Sequence, residues 1–276
     1  MTEAPAPSVP PGVDPTIPAP ARLYDYYLGG THNYPVDREA AEQVRKLIPE
    51  LSDAAWANRG FHQRAARWIA LQGVRQFIDI GSGLPTVGNT HEVVQRVDPA
   101  MRVVYVDHDP MVLAHSGPLL AGQRRTRAIL GDLRNPDHLL NHPDLTGLID
   151  FSQPAGLMMT WVMHFVAESD DPQGLVARYL AALAPGSYLA LSHVTNEKTP
   201  PASVAAAEAL YAKASEHLYF RGRADVKRFF DGLELISPCP NTAADVVHTG
   251  DWGAEDPELA DSDGSRWSWC GVARKS

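Results

Sequence analysis

Beyond Gly73 the chain settles into short apolar runs, QFIDI, RVVYVD and RAILGD, each closing on an acidic residue or a glycine turn. Runs of this length and composition read as buried strands. Helical candidates separate them: THEVVQRV, DPMVLAHSGPLL and NPDHLLNH. In the last two, Asp109 and Asn135 stand as N-caps, and Pro110 and Pro136 occupy the first turn, where a missing N–H costs nothing. AGLMMTWVMHFV reads as a fourth strand with its exit, DPQGLVARYLAALAPG as a helix closed by Pro and Gly, and SYLALSHVT as a fifth strand. Strands alternating with helices predict an α/β fold on a parallel sheet. Residues 202–220 and 223–231 return to helical spacing, and LELISPC and SRWSWCGVARK supply two final strands.

Upstream of the first strand, Asp37 to Leu47 and Ala54 to Leu71 carry apolar residues at helical spacing, with Ser52 as N-cap of the second helix. Trp56, Phe61 and Trp68 are expected to pack that helix onto the body. Trp267 and Trp269 alternate along the last strand as core or interface residues. Residues 1–20 hold seven prolines and almost no large apolar groups, too little to offset the entropy of ordering. The expected organisation is a disordered Pro-rich tail over 1–20, an N-terminal helical cap or lid over 21–72, and an α/β domain over 73–276 with a helical insert at about 200–231.

Composition narrows the function. The 276 residues are 44% hydrophobic, enough for one large core, and no apolar run approaches the roughly 18 residues of a membrane span. The N-terminus lacks the basic start and apolar centre of a signal peptide, so a cytoplasmic protein without membrane partners is expected. A net charge of −9 disfavours nucleic acid, and the Arg124, Arg125, Arg127 cluster reads as a solvated strand flank. Cys239 and Cys270 are too few for a metal framework. The expected partner is a small-molecule acceptor, and a homodimer remains open.

The chemistry gathers at three strand ends. FIDIGSGLPT runs into Asp79 and then Gly81-Ser82-Gly83, where absent side chains let backbone N–H groups approach a ligand. Thr86 stands where a dinucleotide fingerprint needs a small third residue, and Pro85 precedes it, which demotes NAD or FAD. VVYVDHD places Asp107, beside His108, where a carboxylate can accept both ribose hydroxyl hydrogens of an adenosine. AILGDLRNP places Asp132, with Leu133 next to it, where an acid or its neighbouring backbone can meet the exocyclic amine of adenine. Together these acids mark one site at the carboxyl edge of the sheet.

These residues resemble the class I S-adenosylmethionine-dependent methyltransferases, whose motifs match DIGSG, VYVDHD, GDL, the WVMHF strand exit and LAPGSYLALSH over residues 77–195. More closely, YDYYLGGTHNYPVDREAAE, IGSGLPTVGNTHEVVQRVDP, VDHDPMVLAH and VKRFFDGLELI resemble an actinobacterial family of S-adenosyl methyltransferases once catalogued as a domain of unknown function. The resemblance implies a Rossmann-like, mostly parallel sheet with an antiparallel C-terminal strand, S-adenosyl-L-methionine as cofactor, and methyl transfer. An alternative is a regulatory protein that binds the cofactor without transfer. The resemblance also implies that Asp79 orients the glycine turn and the amino group of the cofactor's methionine. It places His164, and by the same logic His193, at strand exits near the reacting methyl group, where either could serve as general base. His91 reads as a helix-start residue that also faces the cofactor. In RLYDYYLGGTHNYPVDRE, Tyr24, Tyr26 and Tyr27 are expected to divide between core and pocket, with Tyr27 and Gly30 at the cofactor, and a bend at Gly29 and Gly30 to bring His32, Asn33 and Tyr34 toward the methyl donor or acceptor, so that this segment closes over the sheet edge.

Overall fold

The computed structural model describes residues 9–197, 199–256 and 260–276. Five parallel strands, β1 (Gln76–Ile80), β2 (Arg102–Asp107), β3 (Thr126–Leu130), β4 (Gly156–Thr160) and β5 (Tyr188–Val194), form most of one sheet. Two-residue strands β6 (Glu234–Leu235) and β7 (Val247–His248) and the longer β8 (Ser268–Arg274) complete it. The order is β3-β2-β1-β4-β5-β8-β6, with β7 also on β8, and β8 runs antiparallel to β5. The chain leaves β1 in one direction for β2 and β3 and resumes at β4 in the other. The reversal opens a crevice at the carboxyl ends of β1 and β4, where sheets of this kind bind ligands.

Alternation along each strand splits the core into two layers. Ile78, Ile80, Val104, Leu157 and Leu189 face one side, with α8 (Pro172–Ala182) and α10 (Arg223–Arg228). Phe77, Val103, Met158 and Ala190 face the other, with α3 (Leu51–Leu71) and α4 (Thr90–Gln95). Asp79 shares the parity of Phe77 and so points toward α3 and α4. Asp109 caps α5 (Pro110–Leu119) by accepting from Met111 N at 2.8 Å, and Asn135 caps α6 (Pro136–Leu140), which α7 (Pro143–Thr146) follows.

The cap is built by α1 (Pro20–Tyr27), α2 (Pro35–Arg45), the start of α3, and α9 (Pro201–Tyr211), joined through Leu23, Tyr27, Val44, Ile48, Ala207 and Leu210. Helix α3 is 21 residues long, about 30 Å. Its second half packs Phe61, Ala65 and Ile69 on the sheet, while Asn58, Arg59 and His62 stand at the crevice.

Four expectations are corrected here. Ser52 lies inside α3, whose N-cap is Glu50. Trp56 is 48% exposed rather than packed on the body, because it lies off the face shared by Phe61 and Ile69. Trp267 sits in a 3-10 turn ahead of β8 and lines the crevice, so it does not alternate with Trp269 along a strand. Residues 1–8 of the expected disordered tail lie outside the described residues, but residues 9–20 follow a defined path along the cap, with Pro18 and Ala19 buried and half of the stretch exposed. Arg22 is 2% exposed, pairs with Asp37 at 2.8 Å, and binds the carbonyls of Asp14 and Ile17. Asp37 also accepts from Ala19 N at 3.1 Å and Tyr34 N at 2.8 Å. This buried pair supplies the anchorage that apolar content could not.

Candidate functional site

Cap and sheet enclose a cavity of about 440 Å³, within the size range of small-molecule sites. One end is the turn after β1. Gly81 and Gly83 have φ of +69° and +66°, a backbone region that disfavours other residues. A Cβ at Gly81 would stand 2.2 Å from Val162 Cγ2, whereas a Cβ at Gly83 would meet nothing within 4 Å. Gly81 therefore lets the turn pass the exit of β4, and Gly83 leaves open space. Helix α4 begins only at Thr90, so its N-terminus does not stand at the glycine turn as a dinucleotide site requires.

Asp107 closes β2 beside this turn. Its carboxylate accepts from Gly83 N at 2.8 Å and Asp109 N at 3.0 Å. Burial pushes it above the usual carboxylate range, partly offset by those two N–H groups. Two N–H bonds leave lone pairs for a ligand. The neighbouring Ser82 hydroxyl is buried without a protein partner among the described residues. An open glycine turn, a strand-end carboxylate with spare capacity and an unpartnered hydroxyl fit an adenosine-bearing ligand with a polar tail.

Asp79 is wired to the helices behind it. Thr90 Oγ1 donates to it at 2.5 Å, His62 Nε2 lies 2.7 Å from Thr90 Oγ1, and His62 Nδ1 lies 2.9 Å from Thr160 Oγ1. Because Thr90 spends its proton on Asp79, His62 must give it the Nε2 proton, so Nδ1 accepts from Thr160. Burial holds His62 down to about 3 and pushes Asp79 up to about 6. His62 is thus a neutral relay between β4 and β1. Arg59, bound to Val87 O and to Asn89 Oδ1 at 3.2 Å each, lends positive potential at Asp79.

Another wall of the cavity is aromatic. Tyr24 and Trp161 meet at 5.5 Å between centroids, and Phe165 and Tyr211 at 5.7 Å. Trp161 holds φ of +52°, uncommon for a bulky residue. Ser192 fixes it by accepting its N–H on Oγ at 3.1 Å, and Ser268 accepts Nε1–H at 2.7 Å.

The sequence candidates divide at this cavity. Tyr27, Asp79, Gly81, Ser82, Gly83, Asp107, His108 and His164 line it; Gly30, Asn33, His91, Asp132, Leu133 and His193 do not. His193 is fully buried, with Nδ1 2.7 Å from Val194 O and Nε2 2.8 Å from Arg221 Nη1. Both nitrogens are committed, and burial holds the ring down to about 3. His91 binds the Tyr105 hydroxyl through N and Nδ1, at 2.8 and 2.7 Å. Asn33 donates to Asp25 Oδ2 at 2.8 Å and Gly30 O at 3.0 Å, and a Cβ at Gly30 would strike Asp25, so both residues shape the cap loop. Asp132 is taken by Arg134 at 2.9 Å, and Leu133 lends its carbonyl to Tyr179 at 2.7 Å.

His164 remains at the wall. Its Nδ1 is buried without a partner among the described residues, and burial, His193 and Arg221 hold the ring well below its ordinary value. His108 is 3.1 Å from Glu216, which raises it, and Glu216 also meets Arg134 at 3.2 Å. The segment after α9 is thereby clamped to the tips of β2 and β3. Sequence reading missed Asn58, Arg59, His62, Thr160 and the residues from Gly12 to Arg22 that line the cavity. For residues 12–22, the arginine-aspartate pairing is visible only once the helices are assembled.

Known proteins share this fold. A crystal structure from Thermobifida fusca YX, provisionally described as a methyltransferase, superposes with a TM-score of 0.89 at 39% identity, covering 98% of this chain and 100% of that one. A protein of the DUF574 family from Streptomyces avermitilis superposes at 0.87 and 38% identity, covering 94% and 98%. Among curated relatives, trans-aconitate 2-methyltransferase of Mycobacterium tuberculosis is 29% identical over 209 residues, 73% of this chain and 70% of that protein. The profile of the S-adenosyl methyltransferase family matches residues 7–276. With sheet order, crevice and profile in agreement over almost its whole length, the chain belongs to the S-adenosyl methyltransferase family and is an S-adenosylmethionine-dependent methyltransferase.

Proposed function

We propose that the cavity binds S-adenosylmethionine across the glycine turn and transfers its methyl group to a small molecule held under the cap. The observation that carries this reading is the open space at Gly83 directly beside the Asp107 carboxylate. Asp107 would take the ribose hydroxyls, with Gly81, Ser82, Gly83 and His108 around it, and Asp79 would order the turn from behind through Thr90. When bound, the cofactor would supply a methyl group on a positively charged sulfur; the carbon–sulfur bond would break as the bond to the acceptor forms, the electron pair would stay on sulfur, and the acceptor's proton would be released to water. The protein's own part is alignment and exclusion of water. His164, neutral and lining the cavity, is placed to take a hydrogen bond from the acceptor rather than to carry a full proton, because its burial makes the imidazolium costly.

This reading divides the chain into a cap over residues 9–72 and a methyltransferase domain over 73–276, with α9, α10 and their connection as an insert. It places the protein in the cytoplasm, in keeping with two free cysteines and the absence, among the described residues, of any helix long and apolar enough to cross a membrane. The acidic balance favours a small-molecule acceptor over nucleic acid. Trans-aconitate, the acceptor named for the mycobacterial relatives, is not carried over at 29% identity. Titration with S-adenosylhomocysteine is the test: saturable 1:1 binding to the wild type, weakened at least about tenfold in Asp107→Ala, is expected. Equal affinity in the two proteins contradicts it.

A further inference from the structure

One wall of the cavity is the inner face of one hydrophobic cluster. Tyr24, Tyr27, Ile48, Trp161, Tyr211 and Leu218 belong both to the cluster that joins α1, α2 and α9 and to the lining. Two of the polar handles of its rings, those of Tyr24 and Trp161, are tied back into the protein. The Tyr24 hydroxyl donates to Ala55 O at 3.2 Å and accepts from Asn58 Nδ2 at 3.1 Å, and the Trp161 indole donates to Ser268. What the cavity meets is therefore ring surface, arranged in tilted contacts that favour another ring.

Charge points the same way. Arg22 is paired with Asp37 and held by the carbonyls of Asp14 and Ile17. Arg59 keeps its charge, because Val87 O and Asn89 are neutral partners, but that charge acts on Asp79. Lys213 stands exposed at the lining. An acceptor carboxylate or phosphate would share the cavity with the Asp79 and Asp107 carboxylates, which disfavours it. A protonated amine would lose its water on entering. The Tyr27 hydroxyl and His164 Nδ1, both buried without a protein partner among the described residues, suit neutral hydrogen-bonding groups rather than charged ones.

We propose that the acceptor is an uncharged, ring-bearing apolar molecule that brings its nucleophile in as a neutral hydroxyl. The proposal rests on the methyltransferase reading of the same cavity, and the experiment separates the two. The full chain is first titrated with S-adenosylhomocysteine and then, saturated with it, titrated with 2-naphthol, 2-naphthoate and citrate by calorimetry. The expected result is 2-naphthol binding at least about tenfold more tightly than 2-naphthoate, with no heat from citrate. Leu218→Arg, which puts a cation into the apolar wall, should reverse the order of naphthol and naphthoate. Its affinity for S-adenosylhomocysteine reports whether the cofactor end is intact, and Phe220→Arg serves as the second variant of the same wall. Tight binding of naphthoate or citrate to the loaded wild type, or no binding of naphthol, overturns the acceptor class while leaving the cofactor site standing. Failure of S-adenosylhomocysteine itself to bind refutes the cofactor reading and the acceptor proposal with it.

Discussion

Replacing Gly83 by alanine adds one methyl group to the cavity. Its φ is +66°, and no atom beyond its chain neighbours stands within 4 Å of the new Cβ. The free protein should therefore bear only the left-handed backbone, about 1–2 kcal/mol, or a Tm lower by a few degrees in a chain of this size. The ligand should bear more. A methyl group in space that the cofactor fills costs about 1–3 kcal/mol by overpacking, which weakens binding roughly tenfold to a hundredfold. Gly81→Ala is the comparison. It carries the same strain at φ +69°, but its Cβ falls 2.2 Å from Val162 Cγ2 and 2.6 Å from Val162 Cβ, so the exit of β4 must move. Its Tm should fall several degrees further. Scanning calorimetry and titration with S-adenosylhomocysteine measure both effects. Wild-type affinity in Gly83→Ala would place the ligand away from this turn, and equal destabilisation by the two alanines would mean that Val162 does not constrain Gly81.

Asp37→Asn leaves the Arg22 guanidinium buried without its carboxylate and should cost about 3–5 kcal/mol in urea unfolding, with residues 9–19 cut early in limited proteolysis; an unchanged digestion pattern would show that the pair does not hold them. His164→Ala should lower turnover more than it lowers S-adenosylhomocysteine affinity or Tm. His193→Ala should act on stability instead, by about 1–3 kcal/mol, because it strips Arg221 of an acceptor; the reverse pattern would exchange their roles. Burial holds His62 and His193 down to about 3, so the unfolded chain takes up those protons first. Each one's contribution is whole above about pH 6.5 and is lost toward pH 3, at up to about 1.4 kcal/mol per pH unit. Asp79, raised to about 6, acts oppositely, losing stability as pH rises from 3.8 to 6. Two histidines outweigh one aspartate, so urea midpoints should climb from about pH 4.5 to about pH 6.5; a flat profile would mean that His62 or His193 is hydrated.

The parts legible in the sequence are those governed by neighbours along the chain. Strand alternation, the Asp109 and Asn135 caps and the Gly81-Ser82-Gly83 turn all depend on residues a few positions apart. Asp107 was legible too, because a strand end fixes where its side chain goes. The rest depends on contacts between distant segments. His62 reaches Thr160, 98 positions away, and Asn58 reaches Ser192, 134 away, so neither could be singled out from the α3 pattern. Composition was misleading for residues 9–20, where one buried ion pair does the work that apolar side chains usually do. In RLYDYYLGGTHNYPVDRE, neighbouring side chains part company. Tyr24 and Tyr27 face the cavity, whereas Tyr26 turns away to Glu42, and the Gly29-Gly30 bend closes a loop around Asp25 instead of delivering Asn33 to the site. Strand-end logic also favoured His193, and only the Arg221 contact from a later segment shows why it is unavailable.

Bound cofactor is expected between the glycine turn and Asp107, with the acceptor side formed by the cap. A crystal structure of the full chain grown with S-adenosylhomocysteine should show ligand density over Gly81 and Gly83 with the ribose hydroxyls on the Asp107 carboxylate, leaving the wall of Tyr24, Trp161 and Tyr211 free for the acceptor. Density for the ligand elsewhere, or here with Asp107 making no contact to it, would rule that placement out.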